Sequence, residues 1–172
     1  MHTQTFARLK KYAATVKLFV TKNKYNDRYC FLIDMKLPSG YKRFFIYDLK
    51  CDSIVSAGMV THGIGNNRFD DTITFSNKPG SNCTSLGKYR IGKSYYGKFG
   101  LAYKLYGVEK TNSEAYNRNV VLHAHPYVPD TSVAPLKICR SWGCPTVSPA
   151  FLNQLKTYLN QPGEPMLLSI FY

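Results

Sequence analysis

Short runs of aromatic and β-branched residues, separated by residues that favour turns, fill the chain from Arg28 onward. Such side chains suit the pleated surface of a β-sheet, whereas Gly, Pro, Asn and Ser suit the connections between strands. The turn-forming stretches are 38–40, 63–67, 79–80 and 97–100. This pattern predicts a mainly β fold, either a β-sandwich or a partly closed barrel. The predicted strands cover residues 29–35, 44–47, 54–60, 73–75, 89–91, 101–106, 119–123 and 166–172.

Two segments carry the pattern of an α-helix instead. From residue 3 to about residue 16, apolar residues recur at helical spacing and predict a short amphipathic helix. Ser148 followed by a proline is typical of a capped helix start, so a second helix is predicted over 150–160. The packed side of the first helix is expected to carry Phe6, Leu9, Tyr12 and Ala13.

The length of 172 residues fits one domain, which we expect to span 1–172 with 1–24 as an N-terminal helical extension. An apolar content of 44%, with 14 tyrosines and 10 phenylalanines, argues against a disordered chain. No run approaches the ~20 apolar residues of a membrane span, and the cluster 18–20 is too short for the core of a signal peptide. We therefore expect no membrane span and no export signal in this chain.

The chain is strongly basic, with 23 Lys+Arg against 10 Asp+Glu and a formal net charge of +13. Such a balance favours anionic surroundings, which include nucleic acids and the anionic polymers of a cell wall. It is equally typical of solvated surface charges that keep a protein soluble. One alternative function is therefore a basic binding module for nucleic acid or an anionic polymer, with Tyr95 and Tyr96 as stacking surfaces among lysines.

Five cysteines leave at least one thiol unpaired. In an oxidising compartment, two bridges among Cys30, Cys51, Cys83 and Cys139 leave Cys144 as the free thiol. In a reducing compartment all five are free, and the other four are small buried residues. The sequence leaves both alternatives open.

One segment in the C-terminal half carries the residues of a covalent catalyst. A cysteine attacks carbonyls as the thiolate, and Cys144 has imidazoles upstream and the cationic Arg140 nearby. Gly143 and the proline after the thiol bracket it in a sharp turn, whose adjacent N–H groups are suited to hold an oxyanion. The uncharged run 119–122 predicts a buried strand that delivers His123 at its end. The sequence therefore predicts an enzyme.

Two alternatives use the same residues differently. His125 would share a strand face with His123 if the strand continued past Pro126, which makes it the second candidate for the base. Cys139, Cys144 and the two histidines also form a familiar zinc ligand set, although four residues between the cysteines is at the edge of the usual spacing. We expect neither a metal nor a cofactor.

A histidine at the end of an apolar strand, followed about twenty residues later by Ser141-Trp142-Gly143-Cys144-Pro145, resembles the active-site signature of the L,D-transpeptidase catalytic domain, the YkuD-like fold. The form Ser-x-Gly-Cys-Pro resembles its murein L,D-transpeptidase-like branch. The likeness covers roughly residue 25 to the C-terminus. Further segments that resemble this branch, in this order, are 43–48, 60–63, 75–81, 85–89 and 117–118.

This resemblance implies a cell-wall enzyme that acts on peptidoglycan stem peptides, either as an L,D-transpeptidase or as a hydrolytic L,D-carboxypeptidase or endopeptidase. It implies Cys144 as the nucleophile, His123 as the base and the carbonyl of Ala124 as the group that orients the imidazole. Gly143 and Cys144 are expected to donate to the oxyanion. The implied location is periplasmic or otherwise extracytoplasmic, with anionic cell-wall polymers as further partners and no nucleic acid.

One departure from the family bears on the substrate. Many relatives outside this branch have a histidine before the Gly-Cys pair and an arginine soon after it, whereas Trp142 and Thr146 stand at these positions. Arg140 is then expected to hold the substrate carboxylate. The other residues expected to bind substrate are Ser141, Trp142, His125 and Tyr127.

Overall fold

The computed structural model of the chain describes residues 3–66 and 72–172. The last residue of the predicted turn 63–67 and the first two residues of the predicted extension 1–24 lie outside the described residues. The helices of the described part are α1 (Thr3–Asn23) and α2 (Pro149–Leu159). Its strands are β1 (Tyr29–Asp34), β2 (Phe44–Asp48), β3 (Ser53–Gly58), β4 (Gly87–Gly97), β5 (Gly100–Gly107), β6 (Val121–Ala124), β7 (Thr146–Val147) and β8 (Leu167–Phe171).

These strands form one eight-stranded sheet in the order β3-β2-β1-β8-β4-β5-β6-β7. β1 pairs with β8 and β6 with β7 in parallel, and the other neighbours are antiparallel. The sheet is open, but the chain just after β3 approaches the opposite edge strand, where Val60 and Val147 form an isolated antiparallel bridge. The predicted mainly β fold with two helices is confirmed, and it takes the form of a single mixed sheet that is not closed.

Alternating side chains bury both faces of this sheet. On β1, Phe31 and Ile33 belong to one core, whereas Cys30 and Leu32 belong to another. We call the faces that carry these two cores the inner and the outer face. Helix α2 packs into the inner core, and α1 packs into the outer core. The buried residues of α1 are Thr5, Leu9, Ala13, Val16 and Val20.

Helix α1 is longer than the sequence pattern predicted, and its buried side differs at one end. Leu9 and Ala13 are buried as expected, but Phe6 is exposed. Val16 and Val20 extend the same stripe by two further turns, because positions three and four residues apart lie on one face of a helix. The prediction of a helix that ends near residue 16 is therefore wrong.

Three differences in the strands have local causes. The predicted strand 73–75 is absent, since only Phe75 forms a bridge, with Thr84, in a segment rich in turn residues. β4 continues to Gly97 because its hairpin with β5 extends past the core. β7 was not predicted, because a strand of two residues carries no periodicity.

Two leucines of α1 test how much this helix contributes to stability. Leu9 is buried in the outer core, whereas Leu18 is 68% exposed on the same helix. We expect Leu9→Ala to lower the free energy of unfolding by about 2–5 kcal/mol, because it leaves a cavity against the sheet. Leu18→Ala is the matched control and should change it by about 0.5 kcal/mol at most. Urea unfolding followed by circular dichroism measures both; equal effects would show that α1 contributes little to the folded domain.

Candidate active site

The site is built where the two parallel strands β6 and β7 meet. Their register places His123 beside Thr146 and Ala124 beside Val147. Leu122 points into the inner core, so the neighbouring side chain of His123 lies on the outer face. Cys144 precedes β7 by two residues, and this pairing therefore brings the loop with the thiol to the strand with the imidazole.

Hydroxyl groups fix the backbone at the thiol. The carbonyl oxygen of Cys144 accepts hydrogen bonds from Ser141 Oγ at 2.6 Å and Thr61 Oγ1 at 3.3 Å. Thr61 Oγ1 accepts from the Thr146 N–H at 3.2 Å, and the Thr61 N–H donates to the Thr146 carbonyl at 2.9 Å. Ser141 Oγ also accepts from the Gly143 N–H at 3.2 Å. These hydrogen bonds join the loop to itself and to Thr61, which limits the conformations of the Cys144 backbone.

A buried arginine is hydrogen-bonded to the residue that precedes Thr61. Arg43 is fully buried and donates two hydrogen bonds, from Nε and Nη2, to the Val60 carbonyl at 3.1 and 3.0 Å. Its Nη2 also donates to His62 Nδ1 at 2.9 Å, since a guanidinium has no acceptor. Burial lowers the pKa of Arg43 to about 10, which leaves it charged at neutral pH. The arginine thus fixes the segment that contacts the Cys144 loop.

Gly143 allows this loop to lie close to its neighbour. Its φ of +110° is in the region that favours glycine, and a Cβ there would lie 2.9 Å from the carbonyl oxygen of Cys83. Any larger residue would push the segment around Cys83 away from the thiol loop. The glycine expected from the motif therefore has a steric reason in this fold.

The orientation of the His123 ring fixes its tautomer. Nδ1 lies 3.1 Å from the carbonyl oxygen of Ala124, which accepts only, so Nδ1 carries the proton. In the neutral ring Nε2 then has the free lone pair, and it lies 3.1 Å from Thr146 Oγ1. The ring of Phe99, at the tip of the β4–β5 hairpin, stacks on the imidazole with 5.1 Å between centroids. His123 is therefore held from both its edge and its face.

Burial shifts the pKa values of His123 and Cys144 in opposite directions. It lowers the pKa of His123, which the hydrogen bond to Ala124 partly counters and the nearby His125 reinforces. It raises the pKa of the Cys144 thiol, which a hydrogen bond from the Val121 N–H and the charge of Arg118 partly counter. At neutral pH the resting site therefore holds a thiol and a neutral imidazole.

The thiol and the imidazole do not hydrogen-bond to each other in this structure. Cys144 Sγ faces the Asn119 carbonyl at 3.8 Å, while His123 Nε2 contacts Thr146. Arg118 donates hydrogen bonds to the Ser76 and Cys83 carbonyls at 2.8 and 2.6 Å. These bonds fix the segment that contains Cys83, which lies beside the thiol loop at Gly143. The pairing of β6 with β7 brings the two groups to the same region, and Thr146 is the side chain that hydrogen-bonds to the imidazole.

The residues predicted to bind substrate lie around this centre in different environments. Trp142 and Tyr127 are 75% and 78% exposed. His125 packs edge-on against Tyr127 and Phe99, and its Nδ1 accepts from the Tyr127 N–H at 3.2 Å. Arg140 lines a separate cavity of about 260 Å³, together with His62 and Lys137. Ser141 Oγ hydrogen-bonds within the loop, and its contact with substrate stays a prediction.

Among residues 3–66 and 72–172, no group of three or more potential ligands gathers to hold a metal ion. Cys139, Cys144 and the two histidines are therefore not assembled into the zinc site considered as an alternative. All five cysteines are free. No helix of the described part is long and apolar enough to cross a membrane.

Sequence reasoning missed four residues that shape the site: Arg43, Thr61, Phe99 and Thr146. Arg43 and Thr61 lie in segments that resemble the family, which was a signal for their importance but not for their contacts. Phe99 reaches His123 only because β4 and β5 extend beyond the core. Thr146 was noted as a departure, and its contact with the imidazole depends on the unpredicted β7.

The comparisons with known proteins identify the family and the fold. Residues 2–166 match the family model described as the L,D-transpeptidase catalytic domain. No curated protein matches the chain significantly.

Several solved structures share the fold at low sequence identity. Bd1075 of Bdellovibrio bacteriovorus is 16% identical with a TM-score of 0.52, and the match covers 87% of this chain and 49% of the Bd1075 chain. Pgp2, described as a helical cell shape determining protein of Campylobacter jejuni, is 11% identical with a TM-score of 0.51, covering 86% and 48%. The carbamoyl enzyme that Ldtfm forms with avibactam is 9% identical with a TM-score of 0.52, covering 86% and 50%. The chain thus spans about half the length of these solved chains.

The protonation state of His123 can be measured directly. We expect its imidazole to carry the proton on Nδ1 and to titrate below the ordinary value of 6.5, because burial disfavours the charged ring. Nitrogen-15 NMR of the histidine side chains across the pH range measures both properties, with His123→Gln to assign the signal. A proton on Nε2, or a pKa at or above 6.5, would contradict the arrangement described here.

Proposed function

Because this chain belongs to the L,D-transpeptidase catalytic domain family, we propose that it transfers acyl groups on peptidoglycan stem peptides through a thioester on Cys144. The observation that carries the proposal is the β6–β7 pairing, which brings a thiol loop of fixed backbone to a buried imidazole of fixed tautomer. A nucleophile, a base and a group that orients the base are the parts such chemistry needs.

The first step uses the free lone pair on His123. The thiol of Cys144 turns from the Asn119 carbonyl toward Nε2 and gives up its proton there, and the sulfur attacks the carbonyl carbon of the scissile amide. The protonated ring now donates from Nε2, so Thr146 Oγ1 accepts and turns its own hydrogen to the Cys144 carbonyl, 3.4 Å away. Thr146 thus accommodates both protonation states of the base without moving.

The tetrahedral intermediate carries a negative charge on the former carbonyl oxygen. The Cys144 N–H makes no hydrogen bond to any described residue, and its peptide is oriented by the hydroxyls on the Cys144 carbonyl. We assign this N–H as the main oxyanion donor. The Gly143 N–H already donates to Ser141 Oγ and must exchange that partner for the oxyanion, so it is the second donor.

Collapse of the intermediate breaks the carbon–nitrogen bond. His123 returns its proton from Nε2 to the departing amine, and a thioester on Cys144 remains. An amine from a second stem peptide, deprotonated by the same nitrogen, converts the thioester to a crosslink; water converts it to a trimmed peptide. The same residues serve L,D-transpeptidation and the L,D-carboxypeptidase or endopeptidase reaction, and access of the second amine decides between them.

Recognition of the substrate is assigned to the surroundings of this centre. Arg140, in the cavity with Lys137, is the proposed partner of a substrate carboxylate. The exposed Trp142 and Tyr127 are proposed to line the groove with His125, as large amphipathic surfaces suited to a peptide. The proposed setting is periplasmic or otherwise extracytoplasmic, where peptidoglycan lies, and no cofactor is required.

The experiment that tests this function replaces one of two cysteines in the same loop. Cys144→Ala should abolish the conversion of purified muropeptides, because no other group forms the thioester, whereas the exposed Cys139→Ala should retain wild-type turnover. Mass spectrometry of the products distinguishes crosslinks from trimmed peptides. Undiminished turnover by Cys144→Ala, with the circular dichroism spectrum of the wild type, would remove the thiol from the mechanism.

A further inference from the structure

A row of contacting cations and aromatic rings lies on the part of the sheet next to the proposed active site. The Arg90 guanidinium lies 4.2 Å from the centroid of the Tyr106 ring, which stacks on Tyr116 with 5.2 Å between centroids. Lys104 Nζ then lies 4.8 Å from the Tyr116 centroid and 5.6 Å from that of Tyr95. We call these five residues the cation–aromatic strip.

The strip shares the outer face of the sheet with His123. Tyr89, Ile91, Tyr103 and Leu105 belong to the inner core, so the alternate side chains of β4 and β5 point outward. Cross-strand register then aligns Tyr95 with Ala102 of β5, and Ala102 with His123 of β6. Tyr95 therefore lies two strands from the imidazole, about 10 Å at the usual strand spacing.

The strip fills the half of the outer face that α1 leaves uncovered. α1 packs over β1, β2 and β8 through the outer core. At the near edge of this helix, the Phe19 ring centroid lies 5.7 Å from Nζ of Lys88, which is two residues before Arg90. The strip thus lies between the edge of α1 and the strand that carries the proposed catalytic histidine.

The strip and the strand residues around it carry a net positive charge. Residues 89–108 include Arg90, Lys93, Lys98 and Lys104 and no Asp or Glu. Among the described residues, none of these four cations forms a salt bridge. Of the two acids that follow, Glu109 pairs with Lys88 at 2.8 Å, and Glu114 accepts from the Asn117 amide at 3.0 Å.

From this we infer that the cation–aromatic strip binds the carboxylates of stem peptides on polymeric peptidoglycan, next to the peptide that enters the active site. The inference rests on the proposed function for the identity of the polymer. The rings of the strip contact its cations and one another. The strip therefore presents fixed positive charges to a ligand, and its ring faces are largely occupied. A single-stranded nucleic acid needs open faces for its bases, which favours the carboxylate polymer.

The test measures binding without turnover. In the Cys144→Ala background, co-sedimentation with purified sacculi free of secondary anionic polymers gives an affinity that should fall as NaCl rises, because salt screens exposed charges. Adding Arg90→Gln and Lys104→Gln should weaken it roughly tenfold, as for the loss of two charges that face an anionic surface. The matched control neutralises two exposed lysines outside the strip, Lys11→Gln and Lys156→Gln, and should bind as the background does.

Two further arms identify the ligand and do not depend on the folding of a variant. Sacculi whose carboxylates have been converted to amides should bind the Cys144→Ala protein about as weakly as native sacculi bind the strip variant. A single-stranded oligonucleotide should bind more weakly than native sacculi. Equal binding by the strip variant and its background, full binding to amidated sacculi, or tighter binding to the oligonucleotide would each overturn the inference. Because turnover is not measured, these results are independent of whether muropeptides are converted.

Discussion

The proposed chemistry depends on a parallel pairing of only two residues. β7 lies between β6 and the segment after β3, and this position places Thr146 against His123 on one side and Thr61 on the other. Without it the thiol loop would have no fixed relation to the imidazole, since the two are about twenty residues apart in the chain. Arg43 stabilises the same junction from the interior, because its guanidinium is hydrogen-bonded to the Val60 carbonyl.

Burial then determines which chemistry this junction supports. An exposed cysteine near a histidine tends toward a thiolate–imidazolium pair, but desolvation here raises the pKa of Cys144 and lowers that of His123. In a desolvated site, two neutral groups have a lower free energy than a thiolate–imidazolium pair. In the proposed mechanism the base therefore acts only when substrate is present. The proton on Nδ1, held by the Ala124 carbonyl, keeps Nε2 available throughout.

Much of this architecture could be predicted from residues alone, and the exceptions share a cause. Strong periodicity identified the β-rich body, and the serine cap identified α2, whose N-cap Ser148 accepts from the Phe151 N–H. The family signature directed attention to Cys144 and His123. What sequence did not predict depends on contacts between distant segments, such as the Phe99 ring on the imidazole and the hydrogen bond between Thr61 and Thr146 of β7. Neither a two-residue strand nor a hairpin tip has a local pattern that reveals its partner.

His123 is proposed to activate Cys144, and the rate at which that thiol is alkylated measures this activation. Iodoacetamide labelling of Cys144, followed peptide by peptide with mass spectrometry, separates it from the other four thiols. We predict that His123→Ala slows labelling at neutral pH by about tenfold or more, because the general base is lost. We also predict that the wild-type rate declines only below pH 6.5, where the imidazole becomes charged. Identical labelling kinetics in the two proteins would contradict the account.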